Sequence, residues 1–348
     1  MRRYGLARRR AGRGVPFRWV LVLMVTAALC GWWMGKMEAL PERDAIVLPV
    51  YRHDLDEVVP MSLEEYVMGV VAAEMPANFH LEALKAQAVA ARTLALHLLQ
   101  ENRPLANHPQ AVISTDFRTH QAWKSPESAR EEWGISFYWR WAKIAKAVSA
   151  TRGIVMMYGD EVIYPAYHAS SGGRTEDSEN YWTSYMPYLR SVDDPYSAQD
   201  RYAQTEAVVA KSELWTAIAR RSNGTAAVAA RAGEANGDAG VGSPARDIAE
   251  PESLRVEILS RYPSGRVERV RVGDVVMTGR ELRETLGLRS NWFDVEDRGG
   301  SVRFLVRGYG HGIGMSQYGA DAMARAGFTF DQILSHYYTG VEIVNWYD

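Results

Sequence analysis

The chain has 348 residues, 47% of them apolar and 24% charged, with a formal net charge of −2. That profile supports globular domains with ordinary cores and excludes wholesale disorder. A single cysteine, Cys30, excludes an intrachain disulfide and any thiolate metal site further along.

The charge is unevenly spread. Residues 1–36 carry eight basic side chains and no acid, so −2 less +8 leaves residues 37–348 at −10. An acidic body argues against a nucleic-acid binder, whose affinity rests on neutralising phosphates. Residues 19–35 are seventeen positions without a charge, the low end of what crosses a bilayer core. Arginines precede this stretch, Trp19 marks one edge, and Trp32 and Trp33 mark the other. The expectation is a single-pass cell-membrane protein: a basic cytoplasmic tail over 1–18, an anchor over 19–35, and the remainder outside the cytoplasm. A cleaved signal peptide is the alternative, but Ala27-Ala28-Leu29 before Cys30 is a poor cleavage site.

Along the body, 46–51 reads as a strand. Ser62 with Glu65 three residues on predicts a helix over 63–75, stopped by Pro76. An alanine-rich helix follows over 81–100, then a loop over 107–124 and a helix over 139–150 ahead of Gly153. Residues 154–158 and 162–167, joined through Gly159-Asp160, read as a hairpin. Later strands are expected at 254–259, 267–272, 274–278 and 302–307, and helices at 279–286, 316–325 and 330–337. Between 223 and 247 the text is rich in Ala and Gly without an apolar period, a flexible insertion. Helices followed by β-rich text imply an α+β fold, led by the transmembrane helix, with one extracytoplasmic domain over 46–345.

One residue on the first helix is out of place. Leu63, Val67, Val70 and Val71 form its apolar stripe, and Glu74 continues that stripe at helical spacing. A buried carboxylate is either paired with a cation or held neutral, and neutrality raises its pKa into the range a general acid needs. Lys85 and Arg92, two turns apart on the next helix, are the candidate cations, to brace Glu74 or to hold substrate.

Residues 69–78 with Glu74, followed by Glu82, Lys85, Gln87, Arg92 and Thr93, closely resemble the first motif of the stage II sporulation protein D family of peptidoglycan-cleaving proteins. Two later blocks resemble the same family in the same order. One runs from Tyr167 and His168 through Ser170, Ser171, Arg174, Thr175 and Glu176, with 187–192 behind it. The other is 308–320, with His311, Ser316 and Gln317. The resemblance implies a lytic transglycosylase, a lyase-type cutter of the bond between N-acetylmuramic acid and N-acetylglucosamine, acting in engulfment during sporulation. Glu74 matches the catalytic glutamate, with Lys85 and Arg92 beside it. The residues of the two later blocks become the substrate-binding or supporting set.

Chemically one carboxylate suffices, because the sugar's own 6-hydroxyl is an intramolecular nucleophile. A hydrolytic muramidase would need a second carboxylate, for which Asp116, Glu176 and Asp193 are the candidates. Tyr181, Trp182 and Tyr185 are candidates for stacking on sugars. Some family members carry a zinc-holding Cys/His cluster; the matching stretch here has no cysteine, only His108, Asp116 and His120, and neither metal nor cofactor is expected. Implied partners are glycan strands stripped of stem peptides, a membrane-bound amidase and a multi-pass membrane protein. The rival reading is a glycan-binding module that cuts nothing and stimulates an amidase.

Overall fold

The computed structural model describes residues 46–221 and 254–347. Strand β1 (Val47–Arg52) pairs antiparallel with β2 (Glu57–Ser62), which feeds directly into helix α1 (Leu63–Glu74). Ser62 caps that helix by accepting the Glu65 N–H, and extended Met75 with Pro76 ends it. Helix α2 (Leu81–Glu101) follows and forms the centre of the fold. Its alanines at 83, 86, 88, 90, 91 and 95 are all buried, so neighbouring backbones approach closely.

Beyond α2 come β3 (Ile113–Ser114), parallel to β1, then α3 (Pro126–Trp133) and α4 (Phe137–Ala150). Strand β4 (Ile154–Tyr158) lies between β5 (Glu161–Val162) and the last strand of the chain. The expected hairpin strand over 162–167 breaks after Val162. Pro165 has no N–H to offer a ladder, and the chain turns away to make β6 (Tyr167–His168) in another sheet. After the short helix α5 (Glu179–Trp182) and β7 (Thr205–Ala210), residues 211–221 are helical (α6).

The later part is β-rich. Strands β8 (Val256–Arg261), β9 (Val267–Val272) and β10 (Val275–Thr278) form one antiparallel sheet. Helix α7 (Gly279–Leu286) follows it. Strands β11 (Phe293–Asp297) and β12 (Ser301–Val306) join β7 in a second sheet. Leu214, Val270, Leu282, Phe293 and Phe304 fill a shared core. Strand β13 (Met315–Ser316) pairs parallel with β6, so the second and third sequence blocks lie side by side. Helices α8 (Gln317–Arg325) and α9 (Phe330–Tyr337) then return to α2, and β14 (Glu342–Asn345) closes on β4.

Two expectations are corrected. Among the described residues no helix is long and apolar enough to cross a membrane. The longest, α2, has 21 residues but carries Glu82, Lys85, Arg92 and Glu101. The described residues therefore form a mixed α and β structure in place of the expected α+β chain led by a transmembrane helix, and no helix among them supports the single-pass membrane location. The tail 1–18, the stretch 19–35 and the insertion 223–247 lie outside the described residues.

Candidate functional site

Glu74 ends α1 at the edge of a cavity of about 450 Å³. Residues 72–78 form one wall; Ala169, Tyr202, Gln317 and Tyr318 form another, and Lys124, Glu132, Trp133 and Arg140 a third. Five stretches of chain, at 72–78, 124–140, 169, 202 and 317–318, thus meet around this cavity.

Gly69 explains how the loop over 107–124 reaches it. The Trp123 indole crosses α1 directly over Gly69, where a Cβ would collide with the ring. The Lys124 N–H donates to the Gly69 carbonyl at 3.1 Å, and the Ala122 N–H is then placed to donate to Glu74 Oε1 at 2.9 Å. Gln317, at the start of α8, and Tyr167, on β6, also donate to Glu74 from their side chains. Both donors are oriented from behind. Tyr66 OH donates to Gln121 Oε1 at 3.1 Å, and Gln121 Nε2 donates to Tyr167 OH at 2.8 Å, leaving the Tyr167 proton for the carboxylate. Gln317 Nε2 also donates to Gln87 Oε1 at 3.3 Å.

No ion pair to Glu74 occurs among the described residues. Burial pushes its carboxyl above the ordinary glutamate value, and the hydrogen bonds from Ala122, Gln317 and Tyr167 pull against that. Neutral donors can serve both protonation states, whereas a cation would lock the carboxylate ionised. Glu132, across the cavity, is in the opposite condition. Lys124 bonds it at 2.5 Å, the Trp133 indole donates at 3.2 Å, and its carboxyl is held below the ordinary value chiefly by Lys124.

The expected cations are elsewhere. Arg92 is fully buried and forks onto Glu64, while Lys85 pairs with Glu82 at 2.7 Å, and neither lines the cavity. Of the later blocks only Gln317 reaches the cavity through a named site residue. Ser170 donates to Asp200 at 2.6 Å, Ser171 to Asp194 at 2.7 Å, and Ser316 caps α8 by accepting the Gly319 N–H. Thr175 is buried and accepts the Val192 N–H at 2.8 Å. Glu176 is buried, accepting from Asn180 at 2.9 Å and Ser264 at 2.5 Å. Arg174 pairs with Asp193 at 2.8 Å. These groups hold loops together, because small hydroxyls close to backbone satisfy buried turns as readily as they bind sugars.

His168 and His311 sit near each other, ring centroids 5.5 Å apart, with Trp182 5.1 Å from His311. Burial holds both histidines neutral, with His311 down to about 3. His108 stacks on Tyr51, Asp116 pairs with Arg118, and His120 accepts the Ser114 N–H, so these three each have another partner. Sequence reasoning missed Tyr66, Gln87, Gln121, Tyr167 and Glu132. Gln87 and Tyr167 lay inside the quoted motifs, but polarity on a buried face was the only signal they gave.

The site is a cavity built around one buried carboxyl that meets neutral donors and can carry a proton, with Trp133, Tyr202 and Tyr318 among its walls. The chain belongs to the stage II sporulation protein D family. The family model described as "Stage II sporulation protein" matches residues 51–158. The chain is 36% identical over 299 residues to stage II sporulation protein D of Bacillus subtilis strain 168, covering 86% of this chain and 79% of that one. It is also 36% identical to the protein of that name from Bacillus amyloliquefaciens, covering 86% and 78%. A more distant relative, the amidase enhancer of Bacillus subtilis strain 168, is 28% identical over 80% of this chain and 40% of its own.

Proposed function

We propose that this sporulation protein cuts peptidoglycan glycan strands by lytic transglycosylation, between N-acetylmuramic acid and N-acetylglucosamine. The observation that carries the reading is the Glu74 carboxyl, raised by burial and met only by neutral donors. Protonated Glu74 gives its proton to the glycosidic oxygen as the C1–O bond breaks and positive charge develops at C1. The resulting carboxylate takes the proton of the same sugar's 6-hydroxyl as O6 bonds to C1. A 1,6-anhydro end forms, and Glu74 finishes protonated as it began. Ala122 N–H, Gln317 and Tyr167 stabilise the carboxylate in the interval. Arg92 braces the helix that ends in Glu74, and the serine-rich block holds the turn next to Gln317 through Ser171 and Ser316.

Two other readings have support of their own. Glu132 lines the same cavity and stays ionised, as the base of an inverting hydrolase would. The name of the amidase enhancer points to an amidase acting on the same strands as a partner, whether this chain cuts glycan or only binds it. Glu74→Gln tests the main reading: the variant is expected to fold, to bind strands freed of stem peptides and to leave them uncut. Cutting by the variant would overturn the assignment.

A further inference from the structure

The helix pair α3–α4 carries five aromatic residues in nine positions: Trp133, Phe137, Tyr138, Trp139 and Trp141. They divide into two layers. Phe137 is buried and stacks on Trp141 at 5.5 Å, so these two build the hairpin. Tyr138 and Trp139 face solvent, 58% and 50% exposed, with Tyr138 meeting the buried Phe137 only edge-on at 5.6 Å. Exposed aromatics adjoining a cavity ask for an occupant.

Arg140 connects the outer layer to the Glu74 cavity. Its guanidinium lies over the Trp133 ring at 5.6 Å and over the Trp139 ring at 5.3 Å, while Arg140 and Trp133 both line the cavity. Arg140 Nε is buried and has no hydrogen-bond partner among the described residues. At the cavity end, the Glu132–Lys124 pair flanks Trp133, with Lys124 over the ring at 5.4 Å.

We infer that this strip, Trp133–Arg140–Trp139 with Tyr138 beside it, is a saccharide-stacking subsite that extends the cleft, and that its occupant is the glycan strand continuing from the cleavage point. The inference rests on the reading of the cavity as a glycan site and adds where the strand runs. Sugar rings present an apolar C–H face and a rim of hydroxyl and acetamide groups. A row of indoles with a planar donor between them matches both features. Continuity selects this occupant over a protein partner: a polymer entering the cavity past Trp133 meets Arg140 and Trp139 next.

The test uses the full-length chain with Glu74→Gln, so that the probe survives, and measures binding of two probes: long glycan strands freed of stem peptides and the free disaccharide. Adding Trp139→Ala is expected to weaken strand binding about tenfold, the loss of one stacking platform. Disaccharide binding and thermal stability are expected to stay unchanged, and Trp139→Phe to restore most of the strand affinity. If the Glu74→Gln parent binds strands and Trp139→Ala binds them equally well, the strip is not a sugar subsite, while the cleft reading stands. If the parent binds neither probe, the cleft reading falls and the strip with it. A Trp139→Ala chain that binds strands normally but fails to stimulate an amidase would overturn the inference in favour of a protein-docking surface.

Discussion

Arg92 forks onto Glu64. Its Nε donates to Oε1 at 2.8 Å and its Nη2 to Oε2 at 2.6 Å, where the guanidinium is fully buried and the carboxylate nearly so. The remaining N–H groups reach the carbonyls of Ile154 and Val148, at 3.2 and 3.4 Å. One side chain therefore ties α1, α2, α4 and β4 together. Arg92→Ala leaves Glu64 as an uncompensated buried charge and is expected to cost about 3–5 kcal/mol of stability. Arg92→Lys recovers little, because an ammonium cannot reproduce the two-pronged bond. Urea unfolding of the two variants checks this. Near-native stability in Arg92→Ala would mean that the pair does not brace the fold.

Gly69 is the second structural dependency of the site. A Cβ there meets the Trp123 indole, and the strain passes to the adjacent residue, Ala122, whose N–H bonds Glu74. Gly69→Ala is expected to destabilise by about 1–3 kcal/mol, the usual cost of overpacking. It should also lower the turnover of glycan more than its binding. Full turnover in a stably folded Gly69→Ala chain would remove Ala122 from the account.

The raised carboxyl of Glu74 has a consequence for stability. With the folded value above the unfolded one, the folded protein holds an extra proton between the two. Stability is then fully present below the ordinary glutamate value and falls as pH rises through the raised one. Gln cannot ionise, so Glu74→Gln is expected to be the more stable chain at neutral pH, with the gap closing as pH falls. Thermal melts of both chains across that range measure it. A variant less stable than its parent at neutral pH would contradict the raised carboxyl.

Tyr167→Phe removes a donor that favours the ionised form of Glu74. The Glu74 carboxyl should rise further, moving the alkaline limb of the cleavage profile to higher pH. A purely structural role for Tyr167 would lower activity at every pH without moving that limb.

The backbone punctuation was legible in the sequence. Ser62, Pro76 and the alanine run placed α1 and α2 closely, and the apolar stripe singled out Glu74. The partners of charged residues were not legible, because Glu64 and Glu74 sit on one helix and only tertiary packing decides which of them meets Arg92. Nor were the partners of the hydroxyl-rich block: Ser170, Ser171 and Thr175, read as substrate-binding or supporting residues, satisfy Asp200, Asp194 and the Val192 backbone. Helix α3, opened by Pro126 behind its Ser125 cap, carried a start signal that went unused. The outer aromatics of α4 were visible as letters, but their relation to the cavity depends on Arg140 folding back between Trp133 and Trp139.

The most direct test of the central claim weighs the products. Glycan strands freed of stem peptides are incubated with the full-length chain and with Glu74→Gln, and the new ends are identified by mass spectrometry. The account predicts muramic acid ends lighter by one water with the parent chain and intact strands with the variant. Fully hydrated ends would contradict the intramolecular attack by the 6-hydroxyl and move the chemistry to a water activated by a second carboxylate, for which Glu132 is placed in the same cavity.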